Sequence, residues 1–439
     1  EKGLGKEIST AGRIISLRRM GKLCFMHISD YTGRIQLMFR KDVLNESYEL
    51  LELIDIGDHI GVNGELITTK TGELTIMVKD FTILAKSIRP LPEKYHGLRD
   101  KELRYRKRYL DLLTNPESVN RFITRSRIIS LVREFMQKKG FIEVETPILQ
   151  PVYGGARARP FKTHIHSLDM DIYLRISPEL YLKRLLVGGF DKVFEIGKNF
   201  RNEGIDARHN PEFTMMEAYW AYVDYKDIMR LVEDLYEYVV KKIYGKTIIE
   251  YQGRKIDFKK PWKRMSMNEA LREYAGIDVD SMSDEELLKE IDKHGIELEQ
   301  KTRGAAILAL FEELVEDKLW EPVFITDYPV ESTPLCKDHR SKPGMIERFE
   351  PFIAGMEVGN AYSELNDPIR QKELLEKQAE MLKKGDEEAN PYDKDFVEAL
   401  EYGMPPAGGL GLGIDRMVML LTNAPSIRDV ILFPFMKPE

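Results

Sequence analysis

Between residues 8 and 87 apolar and polar positions alternate in five short runs, at 8–20, 23–30, 34–40, 59–69 and 74–87. That is the period of a half-buried strand. Tyr31-Thr32-Gly33 and Lys70-Thr71-Gly72 supply turn signals between runs. The stretch 45–55 reads as a short helix between the third and fourth strands. From about residue 95 the spacing changes to longer helical patterns alternating with strands. Asn115-Pro116-Glu117 is a helix start, with Asn as cap and Pro in the first turn. The helix that follows spaces Phe122, Ile129, Val132 and Met136 along one side and stops at Gly140. A strand over 141–145 then runs into Thr146-Pro147, and 371–388 reads as an exposed, charged helix.

Five strands interrupted by one helix predict a small Greek-key barrel of the oligonucleotide-binding (OB) type. In its second strand Cys24, Met26 and Ile28 share a face, leaving Phe25 and His27 on the other. In the third, Ile35, Leu37 and Phe39 point inward while Arg34, Gln36 and Arg40 point outward. An outward Phe beside His, Gln and Arg suits stacking on unpaired bases and reading their edges. A Pro-marked connector, Arg89-Pro90-Leu91-Pro92, ends this region. The expected organisation is a barrel over 1–88, a linker or hinge over 89–115, and a second domain over 116–439 with a helical insertion near 247–300.

At 439 residues the chain exceeds the roughly 250–300 at which a single core stops growing, which fits two domains. No apolar run reaches 18 residues without charge, so no membrane-spanning helix is expected. The start at Glu1 reads as a trimmed N-terminus without an export signal. Two cysteines, Cys24 and Cys336, make neither a disulfide framework nor a zinc cluster, and a cytosolic location is the default. The net charge of −7 argues against a protein that merely coats nucleic acid, but binding responds to local patches. One such patch, Arg99, Lys101, Arg104, Arg106, Lys107 and Arg108, reads equally as a solvated helix face.

The densest chemistry lies in Phe200-Arg201-Asn202-Glu203, a polar loop through His209-Asn210, and a strand carrying Phe213, Glu217 and Tyr219. Farther on come Glu350, Glu357, Asn360 and Glu364, then Gly408-Gly409-Leu410-Gly411-Leu412-Gly413-Ile414-Asp415-Arg416. In this order and spacing the segments resemble the three signature motifs of class II aminoacyl-tRNA synthetases, in the lysyl branch of the subgroup that also holds the aspartyl and asparaginyl enzymes. The first motif ends in Pro147, the second spans 200–219 and the third ends in Arg416. The pattern of a P-loop is absent.

The resemblance implies an α+β protein: an N-terminal OB barrel that binds an anticodon, then a catalytic domain built on an antiparallel sheet flanked by helices. It implies a homodimer that activates L-lysine with ATP and loads it onto tRNA(Lys), with Mg²⁺ as cofactor. Arg201 and Arg416 then match the catalytic arginines, which offset the charge of an attacking carboxylate and a phosphate chain. Glu203, His209, Asn210, Phe213 and Gly413 match nucleotide positions, and Glu350 and Glu357 the metal acids. Gly155, Glu179, Glu203, Tyr219, Asn360 and Glu364 match the lysine pocket. A Glu at 179, where the aspartyl relatives typically carry Gln, favours a cationic substrate. Phe25, His27, Arg34 and Gln36 match the anticodon surface. The alternatives are an aspartyl or asparaginyl enzyme, or a silent tRNA- or protein-binding paralogue, which is expected to have lost Arg201, Arg416 or the metal acids.

Overall fold

The computed structural model describes residues 4–91, 98, 100–298 and 300–438. The chain divides into two compact units at Asn115/Pro116.

In the first unit, β1 (Glu7–Met20), β2 (Leu23–Ser29), β3 (Arg34–Arg40), β4 (His59–Thr68) and β5 (Leu74–Ala85) close into a barrel in the order β1-β2-β3-β5-β4. Alternation is what fills it: Cys24, Met26, Ile28, Leu37 and Phe39 are buried, while Ile35 is only partly covered. The helix expected over 45–55 begins earlier. It runs as one α-turn, Lys41–Leu44, then a 3-10 stretch, Asn45–Leu53, and the chain changes course at Asn45, whose φ is 51°.

The segment expected as a linker carries two helices, Lys101–Arg106 and Arg108–Thr114. Pro92 and Arg99 lie outside the described residues. The rest of the basic patch does not form one solvated face. Arg108 is fully buried and pairs with buried Asp111 at 2.7 Å, Arg104 reaches the same carboxylate at 2.7 Å, and Arg106 pairs with Glu102 at 2.7 Å. A buried acid three residues along turned Arg108 inward, which a count of basic residues cannot reveal.

The second unit is organised by one large, mostly antiparallel sheet. Its strands in chain order are β6 (Ile142–Glu143), β10 (Lys192–Phe200), β11 (Glu212–Ala221), β14 (Lys263–Ser266), β15 (Val323–Pro329), β16 (Met345–Ile353), β17 (Met356–Glu357), β18 (Gly359–Ser363) and β19 (Ala407–Gly413). The spatial order is β14-β15-β16-β18-β19-β11-β10-β6, with β17 on β16. Only the edge pairings β14·β15 and β10·β6 are parallel. Between these strands, β7 (Leu149–Gln150), β8 (Lys162–Ile165) and β9 (Met170–Leu174) form a small three-stranded sheet, and β12 (Ile248–Tyr251) with β13 (Arg254–Asp257) a hairpin.

The stretch 247–300, expected to be helical, therefore opens with three strands, one of which joins the main sheet. Its helical segments, Met267–Ala270, Leu271–Ala275 and Asp284–Lys293, come later. The strand expected over 141–145 pairs only at Ile142–Glu143. The helix Pro116–Lys138 buries Ile128, Leu131, Val132, Phe135 and Met136 against the strongly amphipathic helix Tyr225–Tyr244. Gly140 ends that segment in the left-handed region at φ +83°. The charged helix is Pro368–Lys383, capped by the Asp367 carboxylate. The helical layer thus covers one face of the sheet and leaves the strand ends β11, β18 and β19 free to build a site.

Candidate active site

Strand β11 sets the geometry. Its even-numbered Met216 and Ala218 pack in the core, and Thr214 donates its N–H to Asp415 at 2.7 Å. Phe213, Met215, Glu217 and Tyr219 consequently share the opposite face and line two adjoining cavities. Pairing of β11 with β19 brings Glu217 opposite Gly411 and Tyr219 opposite Gly409.

The first cavity brings together Arg201, Glu203, His209, Asn210 and Phe213 with Gly413 and Arg416 from β19 and the helix after it. Arg201 stacks its guanidinium 5.1 Å from the Phe213 ring centre. Its Nε is buried without a hydrogen bond, and no described carboxylate lies within ion-pair distance. Arg416 is engaged: it pairs with Glu357 at 2.9 Å and lies 3.2 Å from His209 Nε2, whose Nδ1 meets Asp206 at 2.9 Å. Asn210 is buried and spends its amide on the backbone, donating to the Glu212 carbonyl at 2.6 Å. Asp415, beside Arg416, is buried and pairs with Arg125 of the Pro116–Lys138 helix.

The second cavity is acidic. Gly155, Glu179, Glu217, Tyr219, Asn360 and Glu364 border it, whereas Glu203 borders only the first. Arg201 and Glu357 border both. Ser177 donates to Glu217 at 2.7 Å, as does the Tyr219 hydroxyl at 3.0 Å. Burial, with the nearby Glu179 charge, pushes the Glu217 carboxyl up to about 8. Tyr362 donates to Glu179 at 2.6 Å, and Asn360 accepts from Arg348 at 2.9 Å. Glu364 is 1% exposed, and burial raises its carboxyl well above the usual range. Two glycines make room. A Cβ on Gly409 would stand 1.8 Å from Glu364 Oε1, and one on Gly155 would stand 2.8 Å from both Glu179 Cβ and Ser177 Oγ. Gly155 also sits at φ +89°, a conformation that glycine adopts without strain.

Glu350 borders neither of these spaces. It faces a third, wider cavity together with Glu312, Glu316 and Glu357. Tyr328 donates to it at 2.7 Å and Arg348 pairs with it. Burial pushes both Glu350 and Glu316 up to about 7, and in each case the Glu357 charge adds to the rise. Carboxylates that raise one another in this way make a donor set suited to a hard divalent cation. Among the described residues no three His, Cys, Asp or Glu side chains form an all-protein metal cage, so phosphate or water oxygens would complete the shell.

Sequence reasoning named Phe213 and Tyr219 but gave no role to Glu217, although strand alternation from either neighbour places it on the same face. It also passed over Tyr362, which alternates with Asn360 on β18, and Lys183, one helical turn from Glu179.

On the barrel, β2 and β3 set His27 directly opposite Gln36 and Ser29 opposite Arg34, so Phe25, His27, Arg34 and Gln36 share a face. Glu73 joins them, meeting His27 at 2.7 Å and accepting from Gln36 at 2.7 Å. Sequence analysis missed Glu73 because it sits in the turn before β5, outside any alternation.

Residues 100–437 match the family model of the class II tRNA synthetases (D, K and N), and residues 8–84 match that of the OB-fold nucleic acid binding domain. Among curated relatives, a lysine–tRNA ligase of Pelotomaculum thermopropionicum is 57% identical over 439 residues, covering 99% of this chain and 87% of the relative. One from Thermosipho africanus is 54% identical over 433 residues, covering 98% and 86%. One from Methanoculleus marisnigri is 55% identical over 436 residues, covering 98% and 86%. With an OB barrel, three ordered motifs and this similarity along nearly its whole length, the chain belongs to the lysine–tRNA ligase family of class II tRNA synthetases.

Proposed function

We propose that this protein activates L-lysine with ATP and transfers it to the 3′ end of tRNA(Lys), as a homodimer in the cytosol with Mg²⁺ as cofactor. The observation that carries the reading is Arg201. It borders both the cavity of Phe213 and Arg416 and the cavity of Glu179, Glu217 and Glu364, and it has no ion-pair partner among the described residues.

An adenine lies against Phe213, with Glu203, His209, Asn210 and Gly413 around the nucleotide and Arg416 along its phosphate tail. Lysine enters the acidic cavity. Glu364 and Tyr219 receive its side-chain ammonium, and Gly155, Glu179 and Asn360 surround its α-amino end. The carboxylate is thereby left beside Arg201, against the α-phosphate. A carboxylate oxygen bonds to the α-phosphorus as the bond to the β-phosphate breaks, and pyrophosphate leaves with the electron pair. Arg201 stabilises charge on both anions, so catalysis comes from positioning and electrostatics and needs no protein nucleophile. The terminal ribose hydroxyl of the tRNA then attacks the acyl carbon, forming the ester and releasing AMP. Glu350 and Glu357 would hold Mg²⁺, whose chemistry is to neutralise the phosphate chain. The buried carboxyl groups of Glu179, Glu217 and Glu364 at the amino-acid cavity have the wrong polarity for aspartate.

Phe25, His27, Arg34 and Gln36 meet the anticodon, by stacking and edge contacts. The dimer reading is supported by exposed Ile123, Ile142, Ile148 and Leu149 on and after the first-motif helix. Charging of unfractionated tRNA with labelled lysine tests the whole reading. The product is expected to be lysyl-tRNA carrying a lysine anticodon, and uncharged tRNA in the presence of active adenylate synthesis would contradict the acceptor.

A further inference from the structure

Lys183 stands directly behind the acidic cavity, fully buried and not among the side chains that border it. Its ammonium reaches two carboxylates at once, Glu179 on its own helix at 2.6 Å and Glu364 from the segment after β18. It also sits 5.5 Å from the Tyr362 ring centre, and the Tyr362 hydroxyl donates to the same Glu179 oxygen that takes Lys183. Glu364 directs Oε2 at Lys183, while its Oε1 faces Gly409 on the cavity wall, buried and without a hydrogen bond.

A buried cation bridging two acids costs desolvation that a hydrophobic residue would not, so stability alone does not account for it. Glu179, Glu217, Glu331, Glu357 and Glu364 all border the cavity, and Lys183 ties two of the deepest, Glu179 and Glu364, into one fixed arrangement.

We propose that Lys183 is a specificity-determining positioning residue, an internal counter-ion that holds Glu179 and Glu364 in fixed orientation toward a cationic amino acid. This rests on the reading that the cavity takes lysine. The remaining titratable groups packed around the pair are Glu217, Tyr219, Tyr362 and Cys336. Burial raises both phenols and the thiol well above their usual ranges, so these three stay neutral at pH 7. Burial by itself would lower the Lys183 ammonium, and the two carboxylates reverse this and hold it charged. Burial raises two acids of the cavity, the Glu217 carboxyl to about 8 and the Glu364 carboxyl well above its usual range.

Two measurements test the assignment. In the unmodified protein, calorimetry of lysine binding checks the substrate, and no binding of lysine would overturn the substrate reading on which the proposal rests. In Lys183→Met, the lysine KM at pH 7 is expected to rise by at least about 30-fold with the ATP KM little changed. Parallel changes in both KM values and kcat would make Lys183 a merely structural residue. Should Lys183→Met fail to fold, Lys183→Arg decides: it keeps the charge but displaces it, a selective rise in the lysine KM is expected, and a wild-type lysine KM would overturn the proposal.

Discussion

Lysine recognition should be steeply pH-dependent below pH 8, because Glu217, a buried acid of the cavity, must lose a proton to receive a cation. The Glu217 carboxyl stands at about 8, raised first by burial and then by the Glu179 charge, against the hydrogen bonds from Ser177 and Tyr219. A group with that value is about 1% ionised at pH 6, about 10% at pH 7 and half ionised at pH 8. If the ionised form binds lysine, the lysine KM falls about ninefold between pH 6 and 7 and about fivefold between pH 7 and 8, roughly 50-fold in all. Glu217→Gln removes the titration, so its lysine KM is expected to be high and nearly flat over the same range. The assay is pyrophosphate exchange at saturating ATP with lysine varied from pH 6 to 8.5. The stability sign runs the other way. A carboxyl raised in the folded state favours the protonated form there, so the free protein loses stability as pH climbs from the unfolded value toward 8. Glu217→Gln should therefore raise the melting temperature of the free protein at pH 8 while weakening lysine binding. A wild-type lysine KM that stays constant from pH 6 to 8, or a Gln variant with the wild-type slope, would refute the reasoning.

Gly409→Ala places a methyl 1.8 Å from Glu364 Oε1 and 2.7 Å from the Tyr219 ring. Glu364 must move, and the lysine KM is expected to rise by at least about tenfold with the ATP KM nearly unchanged. Arg201→Ala is expected to cut the adenylation rate by about 10²–10³-fold, read in single-turnover assays, without weakening tRNA binding. Glu357→Gln should shift the Mg²⁺ dependence of pyrophosphate exchange to higher concentration, and an unchanged titration would remove Glu357 from the metal site. Phe25→Ala should weaken tRNA binding by about 1–3 kcal/mol while leaving tRNA-independent exchange intact, and unaltered tRNA affinity would detach this face from the anticodon.

Where local periodicity and burial agree, the sequence was readable. The barrel strands declared themselves because Cys24, Met26 and Ile28 alternate with Phe25 and His27, and the structure buries the first set. The start of the Pro116–Lys138 helix was readable from its Asn-Pro cap. Arg201, Phe213 and Arg416 could be placed near one another because three motifs came in order. What could not be read was pairing across long separations. Glu364 meets Lys183 across 181 positions of sequence, and Arg125 meets Asp415 across 290. The inward turn of Arg108 depends on a buried Asp111, and the strands in 247–300 depend on β15 offering an edge to β14. Glu203 illustrates the limit of motif matching: it was expected to serve both substrates, yet it borders the nucleotide cavity alone.

The most direct test of the account is ATP–pyrophosphate exchange with each of the twenty amino acids, and ornithine, in the presence of Mg²⁺. Three buried carboxylates offset by one internal lysine predict exchange with lysine and much weaker exchange with ornithine, whose shorter chain stops one methylene short of Glu364. Exchange with aspartate, or none with lysine, would contradict the central claim that this acidic cavity is the amino-acid site.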